Sequence, residues 1–428
     1  MKSFFHKISN ADSIRILRTR RGQSMLIAIF AMILTVTIAV EVSYDTTVGY
    51  VQAAQQINRL KAYYAAKSGI DLSLFRILIY RKVVAQYGQQ LSSERALMDM
   101  IWQMPFSWPP VVPSSVPGPV RSSIKAAVKH SAMHAQYYAT IKNEGARIDI
   151  NALGCGNEAI VDATRGQLLN LFYNAMKTDP EFKRKYENYN FSKLIDNIED
   201  WVSPGDQSVE GGDKTSKYKQ PEDVENYHLP PDAPFKTLSE LHMVAGMKDD
   251  FYNILKHRVT IYGTFGINVN YANAAILESL DPQITKEIAD KIIARRTDPN
   301  LGGPYQNAND FYSYLQKLGV TTTALENNHV PLQFGTPENF RITSIGTYRN
   351  VVQKIDVITY DLDAVASRYA TILNQNAAAA NGQNPYNTPA NSTPQNGTNP
   401  SQPPPQTPAT PTPQEPIGKP RIVMWKVS

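Results

Sequence analysis

Four carboxylates lie close together on one glycine-rich stretch of this 428-residue chain. They are Asp200, Asp206, Glu210 and Asp213. Carboxylate oxygens on a flexible loop are the hard ligands that calcium prefers, and millimolar calcium outside the cytoplasm would fill even a weak site. The spacing does not follow the EF-hand pattern. The stretch therefore predicts either a calcium site or a solvated acidic loop.

Enzymatic chemistry has no recognisable motif in the sequence. There is no His-Glu-x-x-His, no Gly-x-Ser-x-Gly and no phosphate-binding glycine loop. The single cysteine, Cys155, lies between two glycines with no histidine near it in sequence, which favours a small structural residue over a nucleophile. We therefore expect a protein that is not an enzyme.

Nucleic-acid binding is not expected from the charge distribution. Six basic residues and one acid precede Gln23, which accounts for the whole formal charge of +5 and leaves a neutral remainder. A neutral body does not attract a phosphate backbone. The segment around residues 280–284 compares with a helix-hairpin-helix DNA module, but it has Asp281 and Pro282 where that module uses glycine amides.

An apolar segment near the N-terminus predicts one membrane-spanning helix. Met25 to Val40 contains no charge, and Glu41 is the first acid after it. As a helix this run is roughly 24 Å long, which the flanking residues extend to the thickness of a bilayer core. The basic residues before it place the N-terminus in the cytoplasm. No proline follows until after Val84, so the helix is expected to continue as an amphipathic stem.

The rest of the chain alternates between strand-like and helix-like patterns. Residues 374–419 are rich in Pro, Asn, Gln and Thr and bury too little apolar surface to order themselves. The chain then ends in a strand-like segment, so this stretch is interpreted as a loop that returns to a sheet. Strands are predicted at 137–150, as two strands about a Glu-Gly turn, and at 258–269, 340–348, 351–360 and 420–427, with helical blocks at 157–247 and 272–318.

A weak internal repeat connects the two helical blocks. Arg147-Ile-Asp-Ile-Asn151 matches Gly266-Ile-Asn-Val-Asn270, and the Pro-Phe pair at 234–235 matches the Pro-Tyr pair at 304–305. Each unit is predicted to contain a strand, then an asparagine, then helices and a turn with a proline followed by an aromatic residue. The pattern predicts two related halves, the first with an insertion.

The N-terminal residues resemble the class III leader of type IV pilins and pseudopilins. The resemblance rests on Arg20, Arg21 and Gly22, followed by a polar pair and the apolar helix. It implies cleavage by a prepilin peptidase between Gly22 and Gln23, followed by N-methylation of Gln23. Ile27 becomes the fifth mature residue, where most of the family has glutamate. A buried glutamate needs a cation, in this family the amine of an earlier subunit, so an apolar residue suits the subunit that enters the filament first.

Further segments resemble one branch of that class, the general secretion pathway protein K family of type II secretion minor pseudopilins. The stem segment 62–71 matches, 194–202 resembles one helical segment of the family, and 267–277 with 284–296 resembles its sterile-alpha-motif-like (SAM-like) domain. The family has calcium in a loop corresponding to the acidic stretch. This chain has Ser203 where the family usually has aspartate.

The resemblance implies an α+β, pilin-like fold: a long N-terminal transmembrane and stem helix, an antiparallel sheet and a large helical SAM-like insertion. It implies a subunit that caps the periplasmic tip of the secretion pseudopilus, anchored first as a single-pass protein of the inner membrane. The implied partners are other minor pseudopilins, with the secreted substrate or outer-membrane channel beyond. The alternatives are a minor pilin of a type IV pilus and an inner-membrane-anchored periplasmic binding protein that never assembles.

Together, these predictions divide the chain into ten regions. They are the cleaved leader 1–22, the transmembrane helix 23–43, the stem 44–90, the first part of the sheet 91–151, the helical insertion with the acidic loop 152–256, a strand 257–271, the SAM-like domain 272–334, the later strands 335–371, the disordered loop 372–418 and the C-terminal strand 419–428.

Overall fold

The computed structural model describes residues 3–88, 95–218, 228–327, 330–380 and 420–428, with side chains from residue 23 and, in the last helix, up to residue 374. Most of the predicted loop 372–418 therefore lies outside the described residues. The helices are α1 (Ser3–Tyr87), α2 (Arg95–Gln103), α3 (Gly118–His130), α4 (Glu158–Thr178), α5 (Pro180–Tyr186), α6 (Phe191–Val202), α7 (Asp249–Leu255), α8 (Ala274–Leu280), α9 (Lys286–Thr297), α10 (Ala308–Lys317), α11 (Thr323–Asn327) and α12 (Leu362–Ala380). The strands are β1 (Phe106–Trp108), β2 (Gln136–Asn143), β3 (Ile148–Asp149), β4 (Val259–Thr260), β5 (Ile267–Asn268), β6 (Leu332–Gln333), β7 (Asn339–Tyr348), β8 (Val351–Tyr360) and β9 (Arg421–Val427).

Helix α1 contains the predicted membrane segment and the stem without a break. Within the described side chains, it is the one helix long and apolar enough to cross a membrane, with a mean hydropathy of 2.5 over its most apolar window. Thr35 and Thr37 interrupt the apolar run, but each hydroxyl donates to the carbonyl four residues earlier, at 2.7 and 2.8 Å. A hydroxyl satisfied by its own helix is compatible with lipid.

The main sheet has five strands in the order β1-β2-β7-β8-β9, and every neighbouring pair is antiparallel. Strands β7 and β8 form a hairpin whose turn includes Arg349 with a positive φ of 51°. The C-terminal strand β9 pairs with β8, so the chain ends at an edge of this sheet. The predicted α+β fold class is confirmed.

The stem half of α1 lies across the sheet at very short range. A Cβ atom built on Gly346 of β7 would overlap the backbone of Ala62 and Ala66 on α1. One built on Gly69 of α1 would overlap the hydroxyl of Ser344 on β7. These small residues let the two backbones approach, and larger apolar side chains of the same elements form the core beside them.

The helical insertion leaves the sheet after β2 and returns at the start of β7. Ala62 of α1 contacts the end of β7 near Gly346, whereas the Tyr80 ring lies 6.4 Å from Phe340 at the start of β7. The stem is therefore antiparallel to β7. Its part nearest the membrane segment packs on the C-terminal end of β7, and its later part packs on the N-terminal end. The insertion therefore lies at the end of the sheet farthest from that segment.

The predicted internal repeat corresponds to equivalent structures in the two halves. In the first half, Asn151 accepts a hydrogen bond from the Phe235 amide at 2.8 Å and donates to the Phe235 carbonyl at 3.3 Å. In the second half, Asn270 accepts from the Tyr305 amide at 2.9 Å and donates to the Tyr305 carbonyl at 2.8 Å. Each asparagine follows a strand that pairs in parallel, β3 with β4 and β5 with β6.

Parts of two predicted strand regions adopt other structures. Region 91–151 contains α2 and α3 beside β1 and β2, because Met98 and Trp102 recur at helical spacing and are buried on one face of α2. The predicted second strand of 137–150 does not fold back on β2. Its residues in β3 pair in parallel with β4, because Asn143 caps a turn at Glu144–Ala146 that redirects the chain.

The regions after residue 257 also differ in extent. The predicted strand 257–271 is two short strands, β4 and β5, outside the main sheet, and Phe265 between them has a φ of 54° that no strand tolerates. The later strands end at Tyr360, and α12 replaces the end of region 335–371 and the start of region 372–418. Its alanine-rich C-terminal part favours a helix despite the polar composition that follows.

A buried polar cluster joins the stem, α2 and the insertion. Asp99 of α2 accepts hydrogen bonds from Tyr80 of the stem at 2.8 Å, from Tyr271 of the insertion at 2.6 Å and from Trp102 at 3.3 Å. Arg95 lies over the Tyr271 ring at 5.8 Å. Burial raises the pKa of Asp99 above its ordinary value, although these donors oppose the shift. One carboxylate therefore fixes three elements that are distant in sequence.

Replacing Gly346 with alanine tests the close contact between stem and sheet. We expect Gly346→Ala to lower the free energy of unfolding by about 2 kcal/mol, because the added methyl group forces the helix away from β7. Urea unfolding of the detergent-solubilised full chain measures the change. Gly166→Ala in α4 is the matched control, since a Cβ there meets open space and alanine favours a helix. A Gly346→Ala protein as stable as the wild type contradicts the assignment.

Removing the Asp99 carboxylate tests the polar cluster. We expect Asp99→Ala to lower the free energy of unfolding by roughly 3 kcal/mol, because it leaves the hydroxyls of Tyr80 and Tyr271 buried without their acceptor. Asp99→Asn keeps one acceptor oxygen and should lose less. The same urea titration measures both variants, with Asp290→Ala on an exposed position of α9 as the control. Equal stability of Asp99→Ala and the control would show that the cluster does not hold these elements together.

Candidate assembly surface

The stem helix presents a second apolar face that its own sheet does not cover. Exposed apolar side chains recur along it at helical spacing and fall within about 100° of arc, close to opposite the buried residues Ala62 and Ala66. Three exposed polar residues, Lys61, Ser68 and Asp71, also lie on this arc. We name this set the stem stripe; its members are Tyr50, Ile57, Leu60, Tyr64, Phe75 and Ile79.

The stem stripe continues into the apolar N-terminal half of α1. Every side chain from Gln23 to Thr46 is exposed, and those from Met25 to Val40 are almost all apolar. Ile27, the predicted fifth mature residue, is one of them. An unpartnered apolar rod of this length needs lipid or other helices around it.

The predicted processing residues lie on the same helix. The backbone of Arg20, Arg21 and Gly22 belongs to α1, while their side chains lie outside the described residues. Gln23 is exposed on α1. Cleavage and methylation at this position stay predictions from the sequence.

The four carboxylates of the predicted calcium site do not converge on one point. Asp200 is fully buried at the end of α6, whereas Asp206, Glu210 and Asp213 are exposed on the loop that follows. Asp213 accepts from the amide and hydroxyl of Thr215 and so caps the next turn. Among the described residues, no group of three or more His, Cys, Asp or Glu side chains is placed to hold a metal ion.

Sequence reasoning missed two lysines of this loop, of which Lys217 faces two of the four carboxylates and Lys214 faces Asp232. The ammonium group of Lys217 lies between Asp200 and Glu210, at 3.0 and 3.1 Å. The Lys214 ammonium lies 3.1 Å from Asp232. The sequence did contain a signal for these contacts, because two lysines occur in a short stretch that is otherwise rich in carboxylates and glycine.

Cys155 has no features of a nucleophile. Burial raises the pKa of its thiol above the ordinary value, which disfavours the thiolate that such chemistry needs. The nearby carboxylates Asp196 and Glu199 are instead engaged by Arg165. This agrees with a structural role for the region.

Comparison with known proteins identifies the insertion. Two family models, both described as type II secretion system (T2SS) protein K, match residues 146–264 and 267–331. Their junction falls between β4 and β5, where the first half of the repeat gives way to the second. No curated protein matches the chain.

A solved structure of the GspK-GspI-GspJ complex of the type 2 secretion system from enterotoxigenic Escherichia coli is also similar. The sequence identity is 15%, the match covers 53% of this chain and 75% of that chain, and the TM-score is 0.39. Two consecutive family models with the same description decide the assignment. The insertion therefore belongs to the type II secretion system protein K family, a family of minor pseudopilins.

Proposed function

We propose that this chain caps the periplasmic tip of the type II secretion pseudopilus and acts by assembly rather than catalysis. The observation that carries the proposal is the position of the helical insertion at the end of the sheet farthest from the membrane segment. A filament grown from the membrane has this end of its first subunit pointing outward. A bulky insertion there leaves no room for a subunit above.

The rigidity of the insertion supports the same role. It is fixed to the sheet and stem by two buried polar groups, the Asp99 cluster and Glu144. Glu144 accepts from Thr260 at 2.6 Å and from Arg341 of β7 at 2.7 Å. Burial alone would raise the pKa of Glu144, but Arg341 and Arg147 lower it below its ordinary value, so the carboxylate is charged. A cap held in this way does not swing aside to admit another subunit.

The stem stripe supplies the surface for partners on the side. Its apolar residues match the chemistry of other pseudopilin stems, which are apolar helices of the same kind. We propose other minor pseudopilins as the partners along the stripe. The secreted substrate or the outer-membrane channel would then meet the outer surface of the insertion.

Before assembly, the chain is a single-pass protein of the inner membrane in this proposal, with its N-terminus in the cytoplasm and its body in the periplasm. An apolar helix passes from lipid to a bundle of apolar helices with little change in its surroundings. Ile27 brings no charge that would need an earlier subunit to neutralise it. The chain is thereby suited to leave the bilayer first.

Replacing Gly22 with alanine tests the cleavage step. We expect Gly22→Ala to leave the leader attached in cells that contain the prepilin peptidase, so that the chain keeps its original N-terminus. Intact-mass measurement of the purified chain distinguishes this form from one that begins at methylated Gln23. Gly49→Ala, at an exposed glycine of the same helix where a Cβ meets open space, is the control and should be processed. Normal trimming of Gly22→Ala would refute the cleavage assignment.

A charge in the stem stripe tests the assembly surface. We expect Ile57→Glu to reduce the recovery of other minor pseudopilins by at least tenfold, because a carboxylate would be buried against an apolar stem. Quantitative co-purification from detergent-solubilised membranes measures the loss, and an unchanged melting temperature (Tm) shows that the fold is intact. Recovery by Ile57→Glu equal to that of the wild type would exclude the stripe as the contact.

The matched control for this experiment is Val51→Glu. Val51 is 47% exposed and Ile57 is 55% exposed on the same helix. Val51 follows Tyr50 by one residue, so it is turned about 100° from Tyr50 and lies outside the stripe, on the side of Ala62. We expect Val51→Glu to co-purify with the same amount of partner subunits as the wild type.

The same co-purification tests the alternative function. Type IV pilus subunits found with the chain in place of pseudopilins would support a minor pilin of a type IV pilus.

A further inference from the structure

In the loop after α6, several oxygen atoms surround one cation, and that cation is the ammonium group of Lys217. The Lys217 ammonium donates to four oxygens: Asn197 Oδ1 at 2.8 Å, Asp200 Oδ2 at 3.0 Å, Ser208 Oγ at 3.0 Å and Glu210 Oε2 at 3.1 Å. These atoms come from α6 and from both sides of the loop. The ammonium group is thus the common partner of segments that would otherwise separate.

Asp200 is the anion on which this arrangement depends. Its side chain is fully buried, and besides Lys217 it accepts from the Ser208 hydroxyl at 2.6 Å and from the Val209 amide at 2.8 Å. Burial alone would lower the pKa of Lys217, but Asp200 and Glu210 raise it above the ordinary value. The ammonium group of Lys217 therefore keeps its charge, and removing it leaves the buried side chain of Asp200 without its cation.

A second lysine, Lys214, joins other residues of the same loop. The Lys214 side chain is 1% exposed, and its ammonium donates to the Ser203 carbonyl at 2.7 Å, the Ser203 hydroxyl at 3.1 Å and Asp232 at 3.1 Å. The Lys214 amide also donates to the Asp206 carbonyl at 3.0 Å. The two ammonium groups face three carboxylates: Asp200, Glu210 and Asp232.

These residues fit a bound calcium ion poorly. Calcium takes six to eight oxygen ligands at roughly 2.3–2.6 Å, several of them carboxylate. Here the buried carboxylate of Asp200 already has three donors, one of them a cation. Of the exposed carboxylates only Glu210 approaches it, and the Lys217 ammonium group lies between the two. A divalent ion at this point would have to displace Lys217 and lie close to its charge.

We propose that Lys217, assisted by Lys214, is the internal cation of this loop and takes the place of a divalent metal. The loop is then ordered at any calcium concentration that the periplasm provides. The sequence-based expectation of a calcium site and this proposal make opposite predictions for the same protein, so one set of measurements decides between them.

The first measurement is the response of the wild-type chain to calcium. We expect the detergent-solubilised full chain to show the same Tm in excess EGTA and in millimolar calcium chloride. We also expect no stoichiometric calcium by atomic emission after dialysis against calcium-free buffer. A clear rise of Tm with calcium, or about one calcium ion retained per chain, would overturn the proposal. This measurement needs no variant and holds even if the variants below do not fold.

The second measurement removes the ammonium group and keeps its alkyl chain. We expect Lys217→Met to lower the Tm by about 5 °C or more, in EGTA and in calcium alike, because the buried charge of Asp200 is left unpaired. Lys193→Met is the control: Lys193 also faces Glu210, at 3.9 Å, but its side chain is 58% exposed, and we expect no shift. A Lys217→Met chain that melts with the wild type would show that the ammonium group does not hold the loop.

Discussion

The close approach of the stem helix to β7 determines which surfaces of this protein remain for others. It is possible only because Ala62, Ala66, Gly69 and Gly346 present almost no side chain where the backbones meet. Once that face of the helix is committed to its own sheet, the helical period places the stem stripe on the opposite side. The surface proposed for neighbouring subunits is therefore a consequence of intramolecular packing. A larger residue at the contact would rotate or lift the helix and misplace the stripe as well.

The same helix has to satisfy two surroundings, and its composition changes along its length accordingly. From Met25 to Val40 it is apolar on every side, as lipid or a helix bundle requires, whereas the stem that follows has one face for the sheet and one stripe for partners. The insertion is joined to the second part, where Tyr80 of the helix and Tyr271 of the insertion both donate to Asp99. The membrane half can thus change its surroundings without disturbing the contacts that hold the insertion. This separation is what an anchored subunit needs if it is to leave the bilayer intact.

Much of the architecture was predictable from local patterns, and what was not predictable depends on distant partners. Hydropathy and the absence of proline indicated the long helix, alternation indicated the hairpin of β7 and β8, and Asn151 with Asn270 indicated the repeat. The parallel pairing of β3 with β4 was missed because it joins segments on either side of the first helical block. The prediction of a calcium site or a solvated acidic loop rested on the carboxylates of this loop alone. The Lys217 ammonium group lies beside Asp200 and Glu210 only when the loop closes on α6, so the sequence did not indicate this contact.

The two halves of the insertion place their internal cations differently. In the second half, Tyr305 follows closely on α9, and Arg295 of that helix lies 4.3 Å from the Tyr305 ring and 2.5 Å from Asp310. In the first half, the equivalent Phe235 stacks on Trp201 at 5.7 Å, but a long loop separates them in sequence. Closing a longer loop loses more chain entropy and leaves more backbone to be ordered. The ion pairs of Lys217 with Asp200 and Glu210, and of Lys214 with Asp232, provide that order at the place where the insertion departs from its own repeat.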